Sequence, residues 1–238
     1  MALERSYRGL LIAIGVIFAL NAFESYHDDA VTAALGYDMT GWVHGLEGSL
    51  GARLQTFASP VITWFFTFVY VVLFPVLMAA PVLLAAAEER LPAYRALVKG
   101  IAINYIVCFP FYLFFPVKEM WAGNPDHVRL LINDVSPKII EAYRSTSALD
   151  NCLPSFHVSL SVTTALLALR TGPRLFALAT AVIAALVILS TIYLGIHWVT
   201  DVAVGILLGV VAATFAAREL ELVRDARQSP VGGVPGAA

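Results

Sequence analysis

Apolar residues in this chain gather into six long blocks, at residues 9–23, 57–86, 98–117, 153–169, 175–196 and 199–217, each bounded by charges or by Pro and Gly. A spanning helix needs roughly 20 mainly apolar residues to cross about 30 Å of hydrocarbon. The pattern therefore predicts an all-α membrane protein built as a six-transmembrane-helix bundle. The second block is overlong and punctuated by Pro60, Pro75 and Pro81. It predicts a tilted or kinked helix whose freed carbonyls find partners on neighbouring helices. The first block, led by Arg5 and Arg8 and ending in small residues near Ala22, reads as a spanning helix, with a cleaved secretory signal as the alternative.

Between the first two blocks, residues 24–56 place Trp42, Leu46, Leu50 and Leu54 at helical spacing among charged residues. Two readings stand: an interfacial amphipathic segment between helices 1 and 2, or an irregular loop capped by glycines. Residues 1–227 are expected to form a single membrane-embedded domain. The Gly/Pro/Ala-rich residues 228–238 are expected to be a disordered tail. No internal repeat is evident, which argues against transporters assembled from inverted halves.

Composition narrows the class. Of 238 residues, 59% are hydrophobic and only 13% charged, with a mean hydropathy of +0.79; this excludes an ordinary soluble domain. A net charge of -2 without a basic run excludes nucleic acid and polybasic attachment as partners. With both termini in the cytoplasm, Arg5, Arg8, Arg90, Arg95, Lys99, Arg170, Arg174, Arg218, Arg224 and Arg227 fall inside. Arg53, Lys118, Arg129, Lys138 and Arg144 fall outside. Ten against five obeys the positive-inside rule and supports both termini inside; the expected location is the plasma (inner) membrane. Cys108 and Cys152 are too few for a disulfide framework and read as a buried apolar thiol and a loop thiol.

Ionisable residues at spanning-helix ends are costly and so mark functional sites. One cluster is Asn151-Cys152-Leu153-Pro154-Ser155-Phe156-His157, opening the fourth helix; the other is His197-Trp198-Val199-Thr200-Asp201, between the fifth and sixth. The 40 residues from His157 to His197 allow one helix down and one back, which puts both histidines at the same outer face. Pro154 suits a first helical turn, and the donors around Ser155 suit a phosphate above His157. His197 and Asp201, four apart, share a face if helical, so the carboxylate could orient the imidazole. Taken singly, His157 reads more readily as a solvated interfacial residue, and His197 and Asp201 read equally as an interfacial pair with a helix cap. Together they supply a nucleophile, its orienter, an acid and anion-binding donors, the components that phosphoryl transfer requires.

These residues resemble the type 2 phosphatidic acid phosphatase superfamily, whose second and third signatures are Pro-Ser-Gly-His and Ser-Arg-x5-His-x3-Asp. Pro154-Ser155-Phe156-His157 and Ser190-Thr191, five residues, His197, three residues, Asp201 match them. Tyr193-Leu194, Trp198, Phe115-Pro116 and Trp121 resemble the inositol phosphorylceramide synthase-like branch. The resemblance covers roughly residues 110–215. It implies a six-helix fold, a phosphohistidine at His197 with Asp201 as its orienter, and His157 protonating the leaving group, with no metal and no cofactor. The substrate would be a lipid phosphate or phospholipid, with water or an alcohol or polyol as acceptor, and the active site would face outside.

Two departures from the family bear on the phosphate pocket. Lys118 is present, but Pro125 and Asp126 stand where the first signature has Arg-Pro, and Thr191 replaces the arginine of the third. The pocket loses two bidentate donors. Among Lys118, Arg129, Lys138 and Arg144, the candidates to replace them beside Ser155 are Lys118 and then Arg144. Glu119, Asp126, Asp134, Glu141 and Asp150 share that loop, so it is no simple anion funnel. The competing reading is a non-catalytic lipid-phosphate binding or transport membrane protein.

Overall fold

The computed structural model describes residues 36–123, 128–136, 138, 139, 141 and 149–228, together with positions 12, 15, 19 and 34. The expected first span (9–23), Pro125-Asp126, Arg144 and residues 229–238 of the expected tail otherwise lie outside the described residues. Gln228, assigned to the tail by its composition, ends a helix instead. Among the described residues there is no strand, only an isolated bridge between Val117 and Asn151.

Two short helices come first, α1 (Thr40–Glu47) and α2 (Leu50–Gln55). Gly48, at φ 54, separates them in the left-handed region that glycine tolerates. Trp42, Leu46, Leu50 and Leu54 are exposed while Val43 and Gly51 are buried, so the helical spacing is realised in two pieces with the large side chains facing out.

The overlong second block runs from α3 (Pro60–Phe68) through a π-helical turn, Val69–Leu73, into α4 (Phe74–Ala87). Ser59 caps it, its hydroxyl accepting the Ile62 N–H, with Pro60 in the first turn. The interruption falls immediately before Pro75, whose ring conflicts with the carbonyl four residues back. Pro81 is absorbed within α4. Next come α5 (Leu91–Phe114), a single turn α6 (Met120–Gly123), α7 (Phe156–Thr171), α8 (Arg174–Tyr193) and α9 (Val199–Gln228). Among the described residues, four helical stretches are long and apolar enough to cross a membrane: Pro60–Ala87, Leu91–Phe114, Arg174–Tyr193 and Val199–Glu221. At 16 residues, α7 is about 24 Å long.

Helix α7 is the hub, packed against α4, α5, α8 and α9. Small side chains bring the helices close: Ala96, Ala213, Ala216 and Ala217 surround Leu97 and Leu167. On α9 the approach is backbone to backbone. A Cβ on Gly205 would lie 2.8 Å from the Ser155 carbonyl oxygen, and one on Gly209 would lie 2.6 Å from that of Ser159. This is the small-x-x-x-small packing by which membrane helices gain contact without a hydrophobic driving force. Buried Asn104 adds polar adhesion, donating to the Gly100 carbonyl and to the Thr163 hydroxyl, both at 2.8 Å.

Candidate active site

At one end of the bundle, three loop segments are stitched together by main-chain bonds. Val117 donates to Asp150, Cys152 to Val117, Met120 to Ile196 and Trp121 to Gly195. Gly195 turns at φ 81, and a Cβ there would lie 2.5 Å from the Arg129 carbonyl oxygen, so only glycine fits. Trp198 is fully buried in the seam, its indole N–H donating to the Lys118 carbonyl at 2.8 Å.

This scaffold sets the two histidines. His157 lies in the first turn of α7, half-buried, and His197 lies in the turn before α9, buried; their ring centroids are 5.8 Å apart. The backbone of His197 is fixed by its N–H to the Thr191 carbonyl. Asp201, wholly buried in the first turn of α9, holds Oδ2 3.5 Å from His197 Nδ1. That is longer than a hydrogen bond. The same Oδ2 accepts the Trp198 N–H at 3.0 Å. Both ring nitrogens of His197 and the Asp201 Oδ1 are buried without a hydrogen-bond partner. Burial holds the His197 imidazole down from an ordinary 6.5 to about 3, so the ring is neutral and its lone pair is available at neutral pH, and the Asp201 contact is not an ion pair.

Ser155 is the N-cap of α7, its hydroxyl accepting the Val158 N–H and its own N–H donating to the Asp201 carbonyl. Pro154 therefore precedes the helix instead of occupying its first turn, because the Ser155 cap sets the boundary; its carbonyl accepts the Tyr112 hydroxyl at 2.8 Å. The structure thus gathers His157, His197, Asp201 and Ser155. Of the candidate cations, Arg144 lies outside the described residues, and the other three are paired with carboxylates or exposed. Lys118 places its ammonium 3.6 Å from Asp38, Arg129 pairs with Asp134 at 2.6 Å, and Lys138 is exposed. Thr191, at the lost arginine position, turns its hydroxyl to the Ile188 carbonyl.

Three neighbours were not singled out from sequence. The π-helical turn carries Tyr70, whose hydroxyl lies 3.0 Å from His157 Nε2, while the Phe74 ring lies 4.7 Å from the imidazole. A π-turn often marks a functional position, and the proline-rich overlong span was its only sequence trace. From α1, the Glu47 carboxylate accepts the N–H groups of Val199 at 3.0 Å and of Thr200, capping α9 two residues beyond His197. Cys152, expected as a loop thiol, is buried, and its sulfur lies with one ligand-capable atom each of His197 and Asp201, all within 4.8 Å of one another.

The arrangement offers a neutral, unencumbered imidazole facing a second one held against a phenol, with a carboxylate behind the first. The pattern of the PAP2 superfamily matches residues 93–222, a stretch that contains both histidines and Asp201. In fold the chain is similar to the crystal structure of LpxE from Aquifex aeolicus, with a TM-score of 0.56 at 21% identity over 73% of this chain and 95% of that one. No curated protein matches the chain by sequence.

Proposed function

Since the chain belongs to the PAP2 superfamily, a membrane lipid phosphatase family, we propose that it hydrolyses or transfers a lipid phosphate or phospho-headgroup through a phosphohistidine at His197. The observation carrying this reading is the 5.8 Å approach of two imidazoles in which one ring keeps both nitrogens free. His197 Nε2, the nitrogen turned away from Asp201, forms the N–P bond as the ester P–O bond breaks, and His157, which takes up a proton from solvent as the anionic phosphate binds beside it, gives that proton to the departing oxygen. Water or an alcohol then forms the new P–O bond while N–P breaks, passing its proton to His157. Asp201 steadies the imidazolium charge that develops. The first-signature departure and Thr191 favour a phosphotransferase related to the inositol phosphorylceramide synthase-like branch, working at the outer face of the plasma membrane.

Labelled-phosphate trapping with a panel of lipid phosphates tests the intermediate. Acid-labile label is expected on the wild type and absent from His197→Ala; unchanged labelling of that variant overturns the assignment. Product formation only with added polyol or lipid alcohol identifies the transferase, and phosphate release into plain water identifies the phosphatase.

A further inference from the structure

Cys152 has no part in the phosphoryl transfer just described, yet it is buried against the residues that do. Its sulfur, one nitrogen of His197 and one carboxylate oxygen of Asp201 lie within 4.8 Å of one another, each from a buried residue. Thiolate, imidazole and carboxylate together are the donor set of the zinc class of cations. The second observation is independent of that spacing. Both ring nitrogens of His197 and Oδ1 of Asp201 are buried with no hydrogen-bond partner, and such orphaned groups cost free energy that an occupant would relieve.

We propose that Cys152, His197 and Asp201 form a three-ligand site for a zinc-class divalent cation, and that filling it switches off phosphoryl transfer by taking the lone pair of His197. The proposal rests on the reading of His197 as nucleophile. Zinc bonds of about 2.3 Å to sulfur and about 2.0–2.1 Å to nitrogen set tetrahedral ligand atoms roughly 3.5 Å apart, so with every pair already within 4.8 Å none has to close by more than about 1.3 Å on binding. The thiol gives up its proton to solvent as the metal–sulfur bond forms. Three protein ligands leave a fourth position open, to water or to a phosphate oxygen. The cation is therefore an inhibitor that competes for the nucleophile, and it is not a resident part of the reaction.

The test uses the full-length protein in detergent micelles with Co2+ alone as a spectroscopic probe, followed by Zn2+ inhibition of phosphate release. Expected are a thiolate-to-cobalt charge-transfer band at one Co2+ per chain, displaced by Zn2+, and Zn2+ inhibition reversed by a chelator. Cys152→Ser and Cys152→Ala should keep turnover, lose the band and raise the inhibitory Zn2+ concentration at least about tenfold. Asp201→Asn should also lose the band. No band in wild type, or Zn2+ inhibition unchanged in both Cys152 variants, overturns the proposal. Because the band needs no substrate, it separates the two readings: a wild type that binds Co2+ through sulfur but hydrolyses no lipid phosphate retains the ligand set and removes the phosphatase assignment.

Discussion

His157 and His197 face each other from surroundings of opposite kinds. His157 projects half-exposed from a helix start, its Nε2 against the Tyr70 hydroxyl and its ring beside Phe74. His197 is enclosed, and its main chain is bonded while its ring nitrogens are not. One ring is fixed by a side-chain partner and the other by the backbone that carries it. The difference suits the two tasks: a group that exchanges protons benefits from a hydrogen-bonded neighbour, whereas a nucleophile must keep its lone pair uncommitted.

The largest test of that contrast is deletion of each ring. His197→Ala should lower phosphate release by more than about 10⁴-fold, and His157→Ala by about 10²- to 10⁴-fold, the span of general acid–base catalysis. Equal, mild losses would erase the distinction. Next comes the backbone that holds His197. Gly195→Ala forces a side chain into a left-handed position and against the Arg129 carbonyl; about 1–3 kcal/mol of stability should be lost, visible as a lower melting temperature together with reduced turnover.

Removing the cap is a smaller change. Glu47→Ala leaves the first N–H groups of α9 without their carboxylate and should cost about 1 kcal/mol, with kcat falling more than KM rises because the turn bearing His197 and Asp201 loosens. Tyr70→Phe removes one hydrogen bond from His157, worth about 0.5–1.5 kcal/mol. It should shift the limb of the pH–rate profile due to His157 while His197 phosphorylation persists. At neutral pH the smallest effect comes from the His197 protonation equilibrium, which acts on stability only in acid. His197 takes up a proton near 6.5 when unfolded but near 3 when buried, so between those values the unfolded chain binds more protons. The contribution of His197 is then full above 6.5 and lost as pH falls toward 3. Urea melts of His197→Gln should show a shallower acid slope than the wild type.

What could be read from the linear chain was what repeats or recurs locally. The apolar blocks at 57–86, 98–117, 175–196 and 199–217 correspond to the long helices, and the spacing from Pro154 to Asp201 carries the two histidines. The segment at 24–56 left helix and loop unresolved because Gly48 splits its periodicity into two short pieces. Glu47 and Tyr70 were invisible for another reason. Their partners lie 152 and 87 residues away, and such contacts depend on how helices pack, which no local period encodes. The position of Pro154 was misjudged because the Ser155 cap, a choice between adjacent residues, decides where α7 begins.

Gly205 and Gly209 press α9 onto α7 so closely that the two backbones leave no gap for a methyl group. His157 stands at the start of one of these helices and Asp201 at the start of the other. A bilayer that thickens, thins or leans the protein must therefore swing both as a single rigid arm, and their separation is shielded from the physical state of the surrounding lipid.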